Sequence, residues 1–291
     1  MKILLPALWL GCALLTINCT EGQSEKEKKS RKNKNKEATA VTGSVPGLVK
    51  LATLPAGVRE SSGLAHAAET GTYYTFADGG NDAILFKINR QGQLLSRIKV
   101  AARNHDWESL AQDNAGNLYI ADCGNNENNR KNLAIYRLNP ASPGSAQTIG
   151  FSYPDQKDFP PKKKQRNFDC EASLWHQGNL YLFTRDRGAK QTSNVYTVPA
   201  QAGNHTAKRI ASLKLATEIT GADLSANGQT LALIGKEKLF VFKGGTFQEI
   251  LNATPRQINL PGTGQTEGVL FLNDSTVLIS SEEGNLYEFA L

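Results

Sequence analysis

Short apolar runs of four to seven residues, rich in Tyr, Phe, Val, Ile and Leu and broken by Gly, Asn and Asp, predict an all-β chain. One block of such runs recurs five times, which makes the chain a β-propeller of five four-stranded blades. No helical period is sustained after the N-terminal segment. The chain has 291 residues, 40% hydrophobic and 21% charged, enough to bury a core of domain size, so disorder throughout is excluded.

Each block opens on an acidic or small residue and a short inner run, turns, makes an apolar run, turns again and makes a third. In the first, ESSGLA from Glu60 is followed by YYTFAD and ILFKIN, and in the second ESLA from Glu108 by NLYIAD and LAIYRLN. The third has EASL from Glu171 with NLYLFT and NVYTVP, the fourth GADL from Gly221 with TLALIG and KLFVFKG, and the fifth EGVL from Glu267 with TVLISS and NLYEFAL. A fourth, outer run follows each of the first four blocks: LLSRIKV, QTIGFSY, AKRIASL and FQEIL. The fifth block stops at Leu291 without one. The run GLVKLATL at residues 47–54 supplies the missing strand, closing the ring and hiding its open edges. A ring closed on itself is expected as a monomer. The alternative count is six, with a weakly patterned blade in residues 153–168.

Three domains follow. Residues 1–19 run MKILLPALWLGCALLTINC, one Lys and then a largely apolar stretch, which is secretory signal architecture. A Cys closing that run resembles the lipobox of bacterial lipoproteins, so Cys19 is the expected lipidation site, with Cys12 the alternative. The expected localisation is export, lipid-anchored to the bacterial cell envelope at the outer membrane or cell surface. Residues 20–44 form a charged linker, and 45–291 the propeller. Residues 20–37 hold seven Lys/Arg against four Glu, and Lys2 adds one more, leaving +2 of the net +6 for everything else. A nucleic-acid binder carries its charge across a folded face, so that class is excluded. Removal of Cys12 and lipidation of Cys19 leave Cys123 and Cys170, which an oxidising compartment would allow to form one disulfide. Both are expected on one face of adjacent blades; two unrelated buried thiols are the alternative. No CxxC occurs, which argues against structural zinc.

The blade starts carry the chemistry. Glu60, Glu108, Glu171 and Glu267 occupy four of the five starts and Gly221 the fifth. Residues two apart on a strand share a side, which adds Asp106, Asp169 and Asp223. Turns after the second strands bring Asp78, Asp122, Arg185, Lys236 and Glu282 to the same mouth as candidate ligand contacts. His66 and His105 are expected near this face. Carboxylates crowded this way raise the cost of one another's ionisation unless a cation intervenes. Calcium, which takes six to eight oxygen ligands, suits an Asp/Glu/Asn set better than zinc or copper. Glu60, Asp106, Glu108, Asp169, Glu171, Asp223 and Glu267 are therefore the candidate metal ligands. The competing reading is a structural latch, each strand-start acid accepting backbone N–H groups of the neighbouring blade. There is no GxSxG elbow, phosphate loop or HExxH.

The motifs ESSGLA, DWESLA with YIADCGNN, FDCEA, ITGAD and QTEGV resemble those of exported bacterial propellers grouped as NHL-like or as the "esterase-like activity of phytase" type. The resemblance covers residues 45–291. It implies the propeller fold and, by similarity to β-propeller phytases, a calcium-loaded acidic mouth. The dense Lys/Arg set with which those enzymes hold phosphates is matched here only by Arg130, Arg185, Arg187 and Lys236. Two functions follow as expectations: an exported lipoprotein that binds a ligand, protein partner or cation on its mouth, or a calcium-dependent phosphate- or ester-hydrolase.

Overall fold

The computed structural model describes residues 45–291 except 191 and 216. The signal-like segment with Cys12 and Cys19, and the charged tract that follows it, lie outside the described residues. No helix among the described residues is long and apolar enough to cross a membrane.

The chain folds as a five-bladed β-propeller, each blade an antiparallel four-stranded sheet. From the axis outward, blade 1 is built of Ala65–His66, Thr72–Phe76, Ile84–Asn89 and Leu94–Lys99. Blade 2 contains Trp107–Gln112, Leu118–Asp122, Ala134–Asn139 and Ser142–Ser152. Blade 3 contains Asp169–His176, Asn179–Arg185, Thr192–Pro199 and Lys208–Lys214, and blade 4 Gly221–Leu224, Thr230–Gly235, Lys238–Lys243 and Arg256–Asn259. Blade 5 takes Thr266–Asn273, Thr276–Ser281 and Asn285–Ala290 from the C-terminus and Leu48–Thr53 from the start of the domain. Turn chemistry sets these hairpins. In blade 3, Gln177 and Gly178 stand between the paired His176 and Asn179 with φ of 47° and 80°, the two positive values of a type I′ turn.

The core is divided among the blade interfaces. One buried cluster lies between each neighbouring pair of blades, including the pair that closes the ring. Between blades 1 and 2, Trp107 is fully buried edge-on to Phe76, ring centres 5.4 Å apart, so this indole is part of the interface packing. Near the axis the strands approach closely. A Cβ on Gly63 would stand 2.8 Å from the Leu110 backbone nitrogen, so only glycine fits there.

Two expectations are corrected. The run FQEIL is a helix, Phe247–Asn252, and not the outer strand of blade 4. Thr246 and Glu249 form a capping box, the Thr246 hydroxyl accepting from the Glu249 N–H at 3.2 Å and the Glu249 carboxylate from the Thr246 N–H at 3.1 Å. The outer strand is Arg256–Asn259, paired with Lys238–Val241. Residues 153–168 hold no sixth blade: they form a loop with one 3-10 turn, Lys163–Gln165. Asn128 anchors that loop, its side chain accepting from the Phe168 N–H at 2.9 Å while its carbonyl accepts from Gln156 at 2.7 Å. The long return of blade 3 also lays Gly203–Thr206 parallel to the outer strand of blade 2, covering that edge.

Deleting residues 45–55 removes the outer strand of blade 5 and the contribution of Leu48, Leu51 and Leu54 to two interface clusters. The expected outcome is loss of soluble folded protein, read as disappearance of the cooperative thermal transition. A truncated protein that melts as the full chain does would contradict closure by this strand.

Candidate functional site

The inner strands run parallel around the axis, so their starts share one mouth. There Glu108, Glu171 and Glu267 occupy the same special position: each is the extra residue of a β-bulge. The pairing slips between Trp107 and Ser109, between Cys170 and Ala172, and between Thr266 and Gly268. A bulge leaves its extra residue out of the ladder and re-aims its side chain. Glu60 lies outside this set. It precedes the Ser61–Ala77 bridge, as Asp106 precedes the Trp107–Asp122 pair, and it is exposed, accepting from Asn81 at 3.1 Å. Blade 4 has no bulge, and a Cβ on Gly221 would collide with the Glu267 carbonyl, which excludes an acid there.

The acids of the mouth separate into two groups. In blade 3, Glu171 is held by Arg187 at 2.6 Å and Arg185 at 3.2 Å, and Asp169 by Arg187. Arg185 also reaches Glu218 at 3.1 Å, an acid that the block alignment missed because it lies in the loop before the inner strand. Asp169 takes the N–H of Asn125 in blade 2, and Asp223 of blade 4 takes the N–H of Phe271 in blade 5, so the latch exists, carried by these Asp residues and not by the strand-start Glu residues. Asp122 is likewise spent: it meets Arg130 at 2.8 Å, the His105 imidazole at 2.9 Å and the Asp106 N–H at 3.1 Å.

Asp78, Asp106 and Glu108 form the other group. One carboxylate oxygen of each lies within 4.8 Å of the others. Asp78 accepts from the Gly79 N–H, whereas no donor meets the side chain of Asp106 or Glu108 among the described residues. Glu108 is only 8% exposed. Gly79 and Gly124 press their backbones against these carboxylates, where any Cβ would collide. Burial first, and then Asp78, push the Asp106 carboxyl up to about 6. Burial and the neighbouring Glu171 hold Glu108 well above the usual carboxylate range, and burial raises Asp78 as well. Burial also lifts Glu267, at the same mouth, to about 7, against a hydrogen bond from Gln265 at 2.7 Å.

Of the other expected residues, Lys236 and Glu282 stand exposed at the rim. Asp223 is not at this mouth. It and His66 lie toward the far ends of the inner strands: Asp106 and Asp169 come two residues before the bulged Glu, whereas Asp223 comes two residues after Gly221, further down its strand. His105 is the histidine at the acidic mouth. Cys123 and Cys170 are neighbours, but the bridge expected between them is not formed in this structure. Both are buried free thiols, the Cys123 thiol donating to the Cys170 carbonyl at 3.3 Å and the Cys170 thiol to the Ala172 carbonyl at 3.7 Å.

Fold and site thus define a five-bladed propeller with an acidic mouth, half of it neutralised by arginine. No protein-family profile matches the sequence, and no curated protein is significantly similar to it. Among solved structures the chain is similar to virginiamycin B lyase from Staphylococcus aureus, at 12% identity over 82% of this chain and 68% of that one, TM-score 0.43. It is also similar to a gluconolactonase from Xanthomonas campestris, at 13% identity over 79% of this chain and 72% of that one, TM-score 0.48.

The raised carboxyls give a stability prediction. Ordinary values are 3.8 for Asp and 4.5 for Glu, so the folded protein keeps protons on Asp106 and Glu267 that the unfolded chain has released. These groups therefore cost stability as pH rises from about 4 to about 7. Without divalent cations, Asp106→Asn is expected to raise the melting temperature relative to wild type at about pH 7.5, and by less at about pH 5. An equal offset at both pH values would contradict the assignment.

Proposed function

We propose that the protein is an envelope-anchored propeller whose acidic mouth binds a divalent cation, calcium by its chemistry, and uses it to hold a ligand or protein partner. The observation that carries this is Glu108, a buried carboxylate that meets no donor among the described residues, beside Asp78 and Asp106 and one blade away from acids that arginines neutralise. Three hard oxygen donors suit calcium, and a site requiring six to eight ligands leaves positions for water or a ligand. Asp78, Asp106 and Glu108 would hold the ion. Glu171 and Asp169, spent on Arg185 and Arg187, would instead shape the mouth beside it.

Calorimetric titration with calcium is expected to show saturable binding that Glu108→Gln abolishes. Calcium should also raise the melting temperature of wild type and not of the variant. No heat and no stabilisation by calcium, magnesium or manganese would overturn the proposal.

His105 supports a second reading, calcium-assisted hydrolysis. Its imidazole is oriented by Asp122 and lies next to Asp106 in the chain, where it would serve as an acid or base beside metal-activated water. Arg130, Arg185 and Arg187 are all engaged with resident carboxylates, which speaks for ester over phosphate substrates. Calcium-dependent turnover of generic esters, lost in His105→Ala, would favour this reading over binding alone.

Envelope anchoring rests on Cys19 and the apolar run before it. Cys19→Ser is expected to move the protein from the membrane to the soluble fraction. Retention of that variant, with release of Cys12→Ser instead, would reassign the lipidated cysteine.

A further inference from the structure

The far mouth differs from the acidic one. The ends of the inner strands of all five blades enclose a cavity of about 560 Å³ there, within the range of small-molecule sites. Its lining is mixed: Leu110, Leu174 and Leu270 supply apolar patches, Trp175 adds an aromatic wall, and amides with His66 and His176 supply the polar part, while no Lys or Arg of the described residues lines it. One acid of this cavity lacks a counter-charge. Asp223 accepts the Phe271 N–H at 2.7 Å and forms no ion pair among the described residues. The other carboxylate of the cavity, Asp113, is already occupied by the N–H groups of Ala115 and Asn117 and by the Tyr119 hydroxyl.

We infer that this cavity is a second binding site, for a small amphipathic organic cation: an alkylammonium whose hydrocarbon body lies on the leucines and whose charge pairs with Asp223. A buried carboxylate without a counter-ion is costly to keep ionised, and a ligand ammonium supplies what the protein withholds. Burial lifts the Asp223 carboxyl to about 7, with the Phe271 and Leu224 N–H groups acting against it, and no protein cation contributes. A neutral ligand of the same shape would recover the apolar contacts and forgo the ion pair. An anionic one would meet repulsion. The site does not depend on the acidic mouth, which uses other ends of the same strands.

The test titrates the full-length protein with n-hexylammonium, n-hexanol and n-hexanoate, followed by tryptophan fluorescence and calorimetry. Hexylammonium is expected to bind saturably and about tenfold or more tighter than hexanol, with hexanoate weakest. Asp223→Asn should bring hexylammonium down to the affinity of hexanol while leaving hexanol unchanged. Chelation of calcium should leave all three affinities as they were, which separates failure here from failure of the cation site. Hexanol binding as tightly as hexylammonium, or no saturable binding by any of the three, overturns the inference. The wild-type ligand series decides the matter even if the variant does not fold.

Discussion

Everything in this structure depends on ring closure. A four-stranded blade alone buries little, and the hydrophobic clusters exist only between blades, so each sheet needs both neighbours. The chain supplies three strands to its last blade and takes the fourth from Leu48–Thr53, pairing the beginning of the domain with its end. That pairing also removes an edge that would otherwise template association with other chains.

Closure brings the inner strands to one axis in parallel, which makes the two mouths chemically unequal. Starts carry bulged glutamates and the aspartates around them; ends carry leucines, amides, His66 and His176, and Asp223, which forms no ion pair among the described residues. Around the axis the strands are joined by side chains instead of ladder bonds. Ser109 accepts the Ser173 N–H at 2.8 Å, and the Thr220 hydroxyl donates to the Thr266 carbonyl at 2.6 Å. Where backbones come too close even for a methyl group, as at Gly221, the repeated acid gives way to glycine.

The acidic mouth shows how similar sequence positions acquire different chemistry. Glu108 and Glu171 are both bulged and both buried, yet one faces two carboxylates and the other two guanidinium groups. The difference comes from Arg185 at the end of the second strand of blade 3 and Arg187 in the turn after it, where blade 1 has Asp78 and two glycines. Arginine neutralisation leaves Glu171 an internal strut, and among the described residues no arginine plays that part for Glu108, which stands beside Asp78 and Asp106.

By itself the sequence determined the strand repeat, the ring with its borrowed N-terminal strand, and the collection of Glu108, Glu171, Glu267, Asp106 and Asp169 at one mouth. These follow from local hydrophobic period and from spacing counted along a strand, which require no knowledge of neighbours. Tertiary structure decided the remainder. Period two misplaced Asp223, because residues two apart share a side of the strand but not a height on it: two before the start is the mouth, two after is on the way to the far end. A capping box outweighed apolar content in FQEIL, and an Asn-anchored loop took the place of a sixth blade. Which carboxylates find arginines, and which acid is left with backbone N–H partners alone, depends on contacts between blades far apart in the chain, and no local pattern encodes those pairings.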